Sequence, residues 1–254
     1  MKKLKPEHYQ VLADCLEDKP ITVIPLSRLK TGMCSVYTSG VLPSFSAVVI
    51  FDRYCPDELM GFGHDVNAMW NLLKSKQGWS CICVETEHAE SLGNLIKKTT
   101  NFSVRYYGDI YHTLEQPVRY IRNESVRKLT LQDIKIIKRA PKEIQGNGYL
   151  TIKSMLTDGI VAGAIVDNHL VSIAHTYAET NRYTDIGVYT IYQFRTKGFA
   201  IAAASLVSKE IQANGKIPVW SCGEDNYASL KVAQKIGFTE VDRRIYVIPV
   251  PTPQ

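Results

Sequence analysis

Hydrophobic and polar positions along the first half of the chain switch repeatedly between the period of a helix and the period of a strand. Val66, Met69, Trp70 and Leu73 recur at helical spacing, whereas the apolar run SFSAVVIF is typical of a buried strand. The pattern predicts helices over residues 7–18, 65–76 and 88–100, and strands over residues 21–26, 34–39, 44–51, 80–85 and 102–114. These elements indicate an α/β unit of about 115 residues, in which we find no chemical motif.

The second half has its own order of elements, and three of its strands follow one another closely. The pattern predicts strands over residues 126–130, 160–166, 170–179, 184–190, 217–222 and 238–249, and helices over residues 131–140, 149–159, 200–215 and 226–237. Short polar turns join the three strands between residues 160 and 190, which indicates an antiparallel meander. Asp225 is well placed to cap the last helix. Pro117 and the polar stretch RNES separate the two halves, and we predict domains over residues 1–122 and 123–254.

Composition and charge narrow the class of protein. The chain has 254 residues, of which 45% are hydrophobic and 22% charged, as in an ordinary soluble globular protein. Its net charge of +5 is compatible with phosphorylated ligands, but it is too weak and too evenly spread to indicate nucleic acid. The start MKKLKPEHYQ lacks the apolar core of a signal peptide, and the longest apolar run is too short to cross a bilayer. We therefore expect a cytoplasmic protein with neither nucleic-acid nor membrane partners.

The six cysteines are scattered along the chain, as expected for such a compartment. Cys81 and Cys83 alternate along a predicted strand and therefore share one face. A Cys-x-Cys pair can bind a metal, but no second pair and no histidine cluster has ligand spacing. We interpret these residues as core cysteines and expect no metal cofactor.

A basic, glycine-bearing turn leads into the alanine-rich helix of the second half, in the stretch FRTKGFAIAA. The start of a helix has unsatisfied N–H groups and the positive end of the helix dipole, so it can bind phosphate. Gly198 lets the backbone approach such a group closely, and Arg195 and Lys197 add positive charge. The alternative is a plain strand-to-helix connection that carries two surface cations.

Three stretches in the second half occur in a characteristic order. The turn RTKGFA at residues 195–200 follows the predicted strand IGVYT at residues 186–190, and NYASL at residues 226–230 is followed by KIGF at residues 235–238. Together they resemble the GNAT superfamily of acyl-CoA-dependent N-acyltransferases, whose turn reads Arg/Gln-x-x-Gly-x-Gly/Ala. The resemblance covers about residues 125–250 and gives the turn its interpretation as a cradle for a phosphorylated cofactor.

This resemblance implies an α/β (α+β) fold with a mixed, centrally splayed sheet flanked by helices, preceded by an N-terminal α/β domain. The two-domain layout is similar to that of the glycine N-acyltransferase-like and zwittermicin-resistance-type branches, and the stretch VLPSFSAVVIFDRY resembles the first of these branches. If the likeness extends so far, the N-terminal half is a degenerate GNAT-like domain that covers the active site or shapes the acceptor pocket.

The resemblance also implies a cofactor, acetyl-CoA or another acyl-CoA, and the residues that hold it. By position in the motifs, the cofactor-binding residues are Val188, Thr190, Arg195, Thr196, Lys197, Gly198, Phe199, Ala200, Asn226 and Ser229. Free backbone N–H groups of the central strand, here at Val188 and Thr190, hold the thioester carbonyl and the pantetheine arm in that family.

Acyl transfer to an amine needs a base for the amine and a proton for the leaving thiolate. Asp185 and Glu179 flank the turn into the central strand and are the candidate bases, with Asp185 favoured because its strand leads to the thioester. His175 is an alternative base, although a lone strand histidine is more often a packed core residue.

Many members of the superfamily carry a tyrosine on the last helix as the proton donor, and Ala233 stands at that place here. Ser229, Tyr227 or Tyr189 replaces that tyrosine, or the thiolate leaves unassisted, because a thiol with a pKa near 8.5 is a tolerable leaving group.

The sequence therefore favours an enzyme that moves an acetyl or other small acyl group from acyl-CoA to a primary amine of a small molecule. Two other interpretations remain open at this point. The chain is a CoA-binding regulatory module without catalysis, or it acetylates peptides or proteins.

Overall fold

The computed structural model describes residues 2–251, and within that range the chain forms twelve strands and eight α-helices. The strands are Lys2–Lys3 (β1), Cys34–Val41 (β2), Ser44–Asp52 (β3), Glu58–Phe62 (β4), Cys81–Glu85 (β5), Phe102–Thr113 (β6), Val126–Lys128 (β7), Val161–Val166 (β8), His169–Glu179 (β9), Tyr183–Thr190 (β10), Ile217–Gly223 (β11) and Thr239–Pro251 (β12). The helices are Tyr9–Cys15 (α1), Val23–Thr31 (α2), Val66–Leu73 (α3), Thr86–Thr99 (α4), Ile134–Arg139 (α5), Ile152–Asp158 (α6), Phe199–Ala213 (α7) and Tyr227–Ile236 (α8).

Most predicted elements are present, and the errors have local causes. The strand predicted over residues 21–26 is wrong, because a 3-10 turn at Pro20–Thr22 leads directly into helix α2. The Thr22 hydroxyl accepts the Lys19 N–H at 2.9 Å and fixes this turn, which overrides the β-branched composition. Strand β4 was not predicted, because it is short and contains a glycine. The cap of α8 is Asn226, whose side chain accepts the Ser229 N–H, rather than Asp225.

Contacts divide the described chain into two compact units, residues 2–110 with 242–251 and residues 111–241. This division differs from the predicted domains 1–122 and 123–254, because residues 242–251 of β12 group with the first unit, where Arg244–Val247 pairs with β5. The first unit has the strand order β1-β2-β3-β4-β5-β12-β6. The second unit has the order β11-β10-β9-β8-β7.

The C-terminal unit is built around the predicted antiparallel meander, β8–β9–β10, followed by a parallel pair. Helix α7 connects the parallel strands β10 and β11, and it buries Ala203, Ala204 and Val207 against the sheet. The small alanine side chains bring the helix close to the strands. The sheet is mixed and flanked by helices, as predicted.

The parallel pair in the C-terminal unit is splayed. Only Tyr183–Asp185 of β10 pairs with Ile217–Val219 of β11, although β10 continues to Thr190. From Ile186 onward β10 is paired with β9 alone. The predicted central splay is therefore present, and it begins after Asp185.

The N-terminal unit repeats the same order of elements. A meander β2–β3–β4 is followed by helix α3, by β5 parallel to β4, and by helix α4. The parallel pairing is again confined to three residues, Glu58–Met60 with Cys81–Cys83. The N-terminal unit therefore has the same succession of strands and helices as the C-terminal unit from β8 to α8.

Strands β4 and β5 separate beyond this pairing, and a side chain of the same unit occupies the space between them. The Arg244 guanidinium donates to the carbonyl oxygens of Gly61 and Cys83 at 2.5 and 3.0 Å, and it lies over the Phe62 ring. Helix α3 begins at a carboxylate, because Asp65 accepts the Ala68 N–H at 3.0 Å. Carbonyl groups beside the strand gap and an N–H group at the helix start thus have hydrogen-bond partners within the unit.

Hydrophobic clusters on either face of the sheet strands stabilise the N-terminal unit, and a buried ion pair joins α2 to β3. Arg28 Nε lies 2.9 Å from Asp52 Oδ2, and the two side chains are only 2% and 4% exposed. Asp52 Oδ1 also accepts the Tyr54 N–H.

No helix within residues 2–251 has the length and the apolar composition needed to cross a membrane.

We predict that Asp52→Asn lowers the free energy of unfolding by about 3 kcal/mol, because the buried Arg28 charge loses its counter-ion. The amide oxygen keeps the bond to the Tyr54 N–H, but the amide NH2 then faces the Arg28 Nε–H, so the change removes both the charge and the hydrogen bond to Arg28. Urea unfolding at pH 7 measures the loss. Glu17→Gln, which breaks the exposed Lys19–Glu17 pair, is the control and should leave the midpoint nearly unchanged. Equal losses in the two variants would contradict the prediction.

Candidate active site

The turn between β10 and α7 exposes its backbone. Gly198 is the N-cap residue of α7 and has a left-handed backbone with φ +79°, and no side chain caps the helix. Thr196 is also left-handed, with φ +64°. A Cβ atom built on Gly198 would have no neighbour within 4 Å, so the space in front of this backbone is open. The first N–H groups of α7 therefore have no side-chain cap, as in a helix start that can bind an anion.

A cavity of about 810 Å³ lies in front of this turn, within the C-terminal unit. It is bounded by the end of β10, the turn, the start of α7, one residue of β11 and one face of α8. Nine of the ten predicted cofactor residues line it, namely Val188, Thr190, Arg195, Thr196, Gly198, Phe199, Ala200, Asn226 and Ser229. Lys197, the tenth, is exposed outside the lining, and its Nζ lies 5.0 Å from the centroid of the Phe194 ring.

Of the rest of the lining, the sequence names Tyr189 and Tyr227 only as candidate proton donors, and it misses seven residues. The missed residues are Phe194, Ile201, Trp220, Ala228, Lys231, Val232 and Lys235. Those on α8 follow helical spacing from the start of the helix, because Lys231 and Lys235 lie four and eight residues after Tyr227 and Val232 lies four after Ala228. The face of α8 that begins at Tyr227 was therefore the signal available for them. Trp220 comes from β11 and is brought here by the splay, which no spacing along the sequence reveals.

The charges on the cavity wall are all positive. Arg195, Lys231 and Lys235 line it, and no carboxylate does so among the residues the structure describes. Arg195 is held in place, because its Nε donates to the Thr190 carbonyl at 3.3 Å and its guanidinium lies against the Tyr192 ring. A cavity with cations alone on its wall is suited to a negatively charged ligand.

A hydrogen bond organises the wall between β11 and α8. Trp220 Nε1 donates to Ser229 Oγ at 2.9 Å, and the Ser229 N–H is bound by the Asn226 side chain. Because the Ser229 oxygen acts as the acceptor in this bond, its own proton points elsewhere. Ser229 can thus offer an O–H donor to a group inside the cavity.

The two predicted bases lie in different surroundings, and neither lines the cavity. Asp185 is 5% exposed and is the last residue of β10 that pairs with β11, so it lies where the splay begins. Glu179 is exposed at the end of β9 and forms an ion pair with Lys216, whose Nζ also donates to the Thr180 carbonyl. The structure therefore places Asp185, but not Glu179, next to the opening of the strands.

His175 is on β9 and lies opposite Gly187 on β10. A Cβ atom on Gly187 would be 3.0 Å from the His175 Nε2 and Cε1 atoms, so the missing side chain makes room for the ring. His175 Nδ1 is 2.8 Å from the Thr176 carbonyl oxygen and donates to it. Burial lowers the pKa of His175, although the bond to Thr176 opposes that shift. The imidazole is therefore neutral at pH 7, with Nε2 as its acceptor.

Ala233 occupies a closed position. It is fully buried in the cluster that includes Ile236 and Phe238, on the side of α8 away from the cavity lining. A tyrosine at this place would have to displace core side chains. A proton donor from α8 has to come from another residue.

Side chains that could bind a metal lie in the other unit. Glu85, Glu87 and His88 form the one group of three such donors that lie within 4.8 Å of one another in residues 2–251. Cys81 and Cys83 are on β5, and burial raises the pKa of the Cys81 thiol to about 12, so that thiol stays protonated at neutral pH. Cys83 is buried, whereas Cys81 is half-buried.

Solved structures share this fold over nearly the whole chain. A GCN5-related N-acetyltransferase-like protein from Streptococcus suis 89/1591 matches with a TM-score of 0.68 and 20% identity, over 96% of this chain and 98% of the other. A Drosophila protein matches with a TM-score of 0.71 and 13% identity, over 99% of both chains. A tandem GNAT protein from the clavulanic acid biosynthesis pathway matches with a TM-score of 0.61 and 11% identity, over 99% and 98%.

Sequence comparisons point the same way. The uncharacterized N-acetyltransferase YdfB of Bacillus subtilis (strain 168) is 25% identical over 91 residues, which are 36% of this chain and 35% of YdfB. The match thus spans about a third of the length of this curated relative. The family profile described as GNAT acetyltransferase matches residues 61–246, well over half of the chain. With this match in sequence and the same fold in the solved structures, we conclude that the chain belongs to the GNAT acetyltransferase family.

Proposed function

We propose that the protein transfers an acetyl or other small acyl group from acyl-CoA to a primary amine of a small molecule. The observation that carries this proposal is the cavity in the C-terminal unit. It combines an open, left-handed Gly198 at the start of α7, an exposed edge of β10, and a wall whose charged groups are all cations. A pyrophosphate suits the helix start, and an acyl-pantetheine arm suits the strand edge.

The chemistry then uses groups along β10 and α8. In this proposal the backbone of Val188 and Thr190 binds the thioester carbonyl and the arm, because β10 no longer pairs with β11 there. Ser229 stabilises the leaving thiolate with its free O–H, since its oxygen already accepts the bond from Trp220. Asp185 removes the proton of the amine, directly or through a water, because it lies where the strands separate.

The packing around β9 favours a small acceptor over a peptide. The connection between α5 and α6 lies directly on β9, where a Cβ atom on Gly148 would come within 2.6 Å of the Tyr177 carbonyl oxygen. Tyr149 Oη also bonds to Thr176 Oγ1 at 2.7 Å. This close contact leaves little space along β9 for an extended chain.

A CoA-binding module without catalysis is the second candidate, and the alanine at position 233 favours it, because the usual proton donor is absent there. Turnover separates the two candidates. The purified protein is first titrated calorimetrically with acetyl-CoA, for which we expect a Kd in the micromolar range, roughly −8 kcal/mol. Release of free thiol is then followed with a panel of primary amines. Binding without thiol release for any amine or acyl donor would favour the module.

The Gly198 turn is tested with a matched pair of substitutions at the two ends of α7. Gly198 and Gly215 have similar left-handed backbones, φ +79° and +74°, and an added Cβ would meet nothing at either place. Asparagine tolerates this conformation, so both Gly198→Asn and Gly215→Asn should fold. We expect Gly198→Asn to weaken acetyl-CoA binding at least about tenfold, or 1.4 kcal/mol, because its side chain blocks the approach of phosphate. Gly215→Asn should bind normally, and equal affinities would refute the cradle.

The base is tested by the pH dependence of the rate. Asp185→Asn should lower kcat/KM by about 100-fold near pH 7, the size typical of a lost general base. The loss should shrink at high pH, where the amine loses its own proton. The melting temperature shows whether the variant is folded. A loss that does not change with pH, or a larger loss in Glu179→Gln, would remove Asp185 from this role.

His175 gives a separate test on stability. Burial lowers its pKa in the folded state, so below about pH 6.5 the unfolded chain takes up the proton first. The free energy of unfolding should therefore fall as the pH drops below 6.5, by up to about 1.4 kcal/mol per unit, and be fully restored above it. His175→Gln should remove that part of the slope in urea titrations between pH 5 and 7.5. An unchanged slope would show that His175 is protonated as readily in the folded state.

A further inference from the structure

Three residues on α8 form a line along the cavity wall, and the chemistry proposed above uses none of them. Tyr227, Lys231 and Lys235 recur every four residues and all line the cavity. We call these three residues the α8 stripe. From its first to its last residue the helix rises by about 12 Å, which is longer than one phosphate group needs.

The two lysines of the α8 stripe are not neutralised. Neither Lys231 nor Lys235 takes part in an ion pair within residues 2–251, whereas Lys128 and Lys216 in the same unit each contact a glutamate. Like charges four residues apart repel each other on a helix and destabilise it. An anion bound between these two lysines would relieve the repulsion.

The α8 stripe is distinct from the Gly198 turn. The turn offers backbone N–H groups and the guanidinium of Arg195, which suffice for the pyrophosphate of the proposed cofactor. The stripe offers two flexible ammonium groups on another helix, which suit a compact phosphate with two negative charges. Coenzyme A carries such a group, the 3′-phosphate on its ribose.

We propose that Lys231 and Lys235 bind the 3′-phosphate of coenzyme A, so that the protein distinguishes coenzyme A from 3′-dephospho-coenzyme A. This inference rests on the proposed function, because it assigns a further part of the same ligand. Tyr227 completes the stripe: its side chain is 68% exposed, and its ring is available for the adenine base to stack on.

The experiment compares two ligands in four variants by calorimetric titration. In the parent protein we expect coenzyme A to bind about tenfold more tightly than 3′-dephospho-coenzyme A, with a difference that shrinks as salt is added. Lys231→Gln and Lys235→Gln should each weaken coenzyme A binding by about fivefold, within the range of an exposed charged contact. Both should leave the affinity for 3′-dephospho-coenzyme A within about twofold, because that ligand lacks the group they contact.

Two further variants complete the design. Tyr227→Ala should weaken both ligands by the same factor, since both contain adenine. Lys209→Gln is the control for the loss of one positive charge, because Lys209 is exposed on α7 outside the cavity lining. It should leave the ratio of the two affinities unchanged.

The outcomes separate this inference from the proposed function. Equal affinities for the two ligands in the parent protein, or equal losses for both ligands in the lysine variants, would overturn the assignment of the 3′-phosphate and leave the acyl-CoA site intact. No binding of either ligand would overturn both. A selective loss of coenzyme A binding in Lys231→Gln and Lys235→Gln, and not in Lys209→Gln, would establish the assignment.

Discussion

The separation of β10 from β11 after Asp185 is the constraint on which the rest of the C-terminal unit depends. Backbone N–H and C=O groups in a protein interior need partners, and a strand that leaves its neighbour gives up a row of them. The cavity lies along this edge, so water or a ligand can supply the missing bonds. Helix α7 starts at the mouth of the same cavity, which places a second set of free N–H groups there.

The two units differ in what lies between the strands of their parallel pairs after these strands separate. Both contain a parallel pair that stays together for only three residues before it separates. In the N-terminal unit the Arg244 guanidinium bonds to carbonyls on both strands, and the Asp65 carboxylate caps the following helix. In the C-terminal unit no side chain caps α7, and the gap is open. This contrast supports placing the proposed acyl-CoA site in the C-terminal unit.

The charges on its wall give the cavity a preference for an anionic ligand. The overall charge of +5 is small and says little about a ligand, but the charges that line the cavity are all of one sign. Because the wall is partly apolar, with Phe199, Ile201 and Val232, the cations act in a medium less polar than water. A polyanion with a long uncharged arm matches both properties, as acyl-CoA does.

The sequence by itself determined the elements and the motifs of the second half. Periodicity predicted the meander and both of its flanking helices, and the motifs at the end of β10, in the turn at residues 195–200 and at the start of α8 predicted half of the cavity lining, because each motif is contiguous in the chain. Only the tertiary structure decided which distant residues join them. The splay brings Trp220 to the cavity, β12 leaves the second half to pair with β5, and Lys216 neutralises Glu179. These contacts join residues that are far apart in sequence, and the local hydrophobic pattern does not predict such contacts.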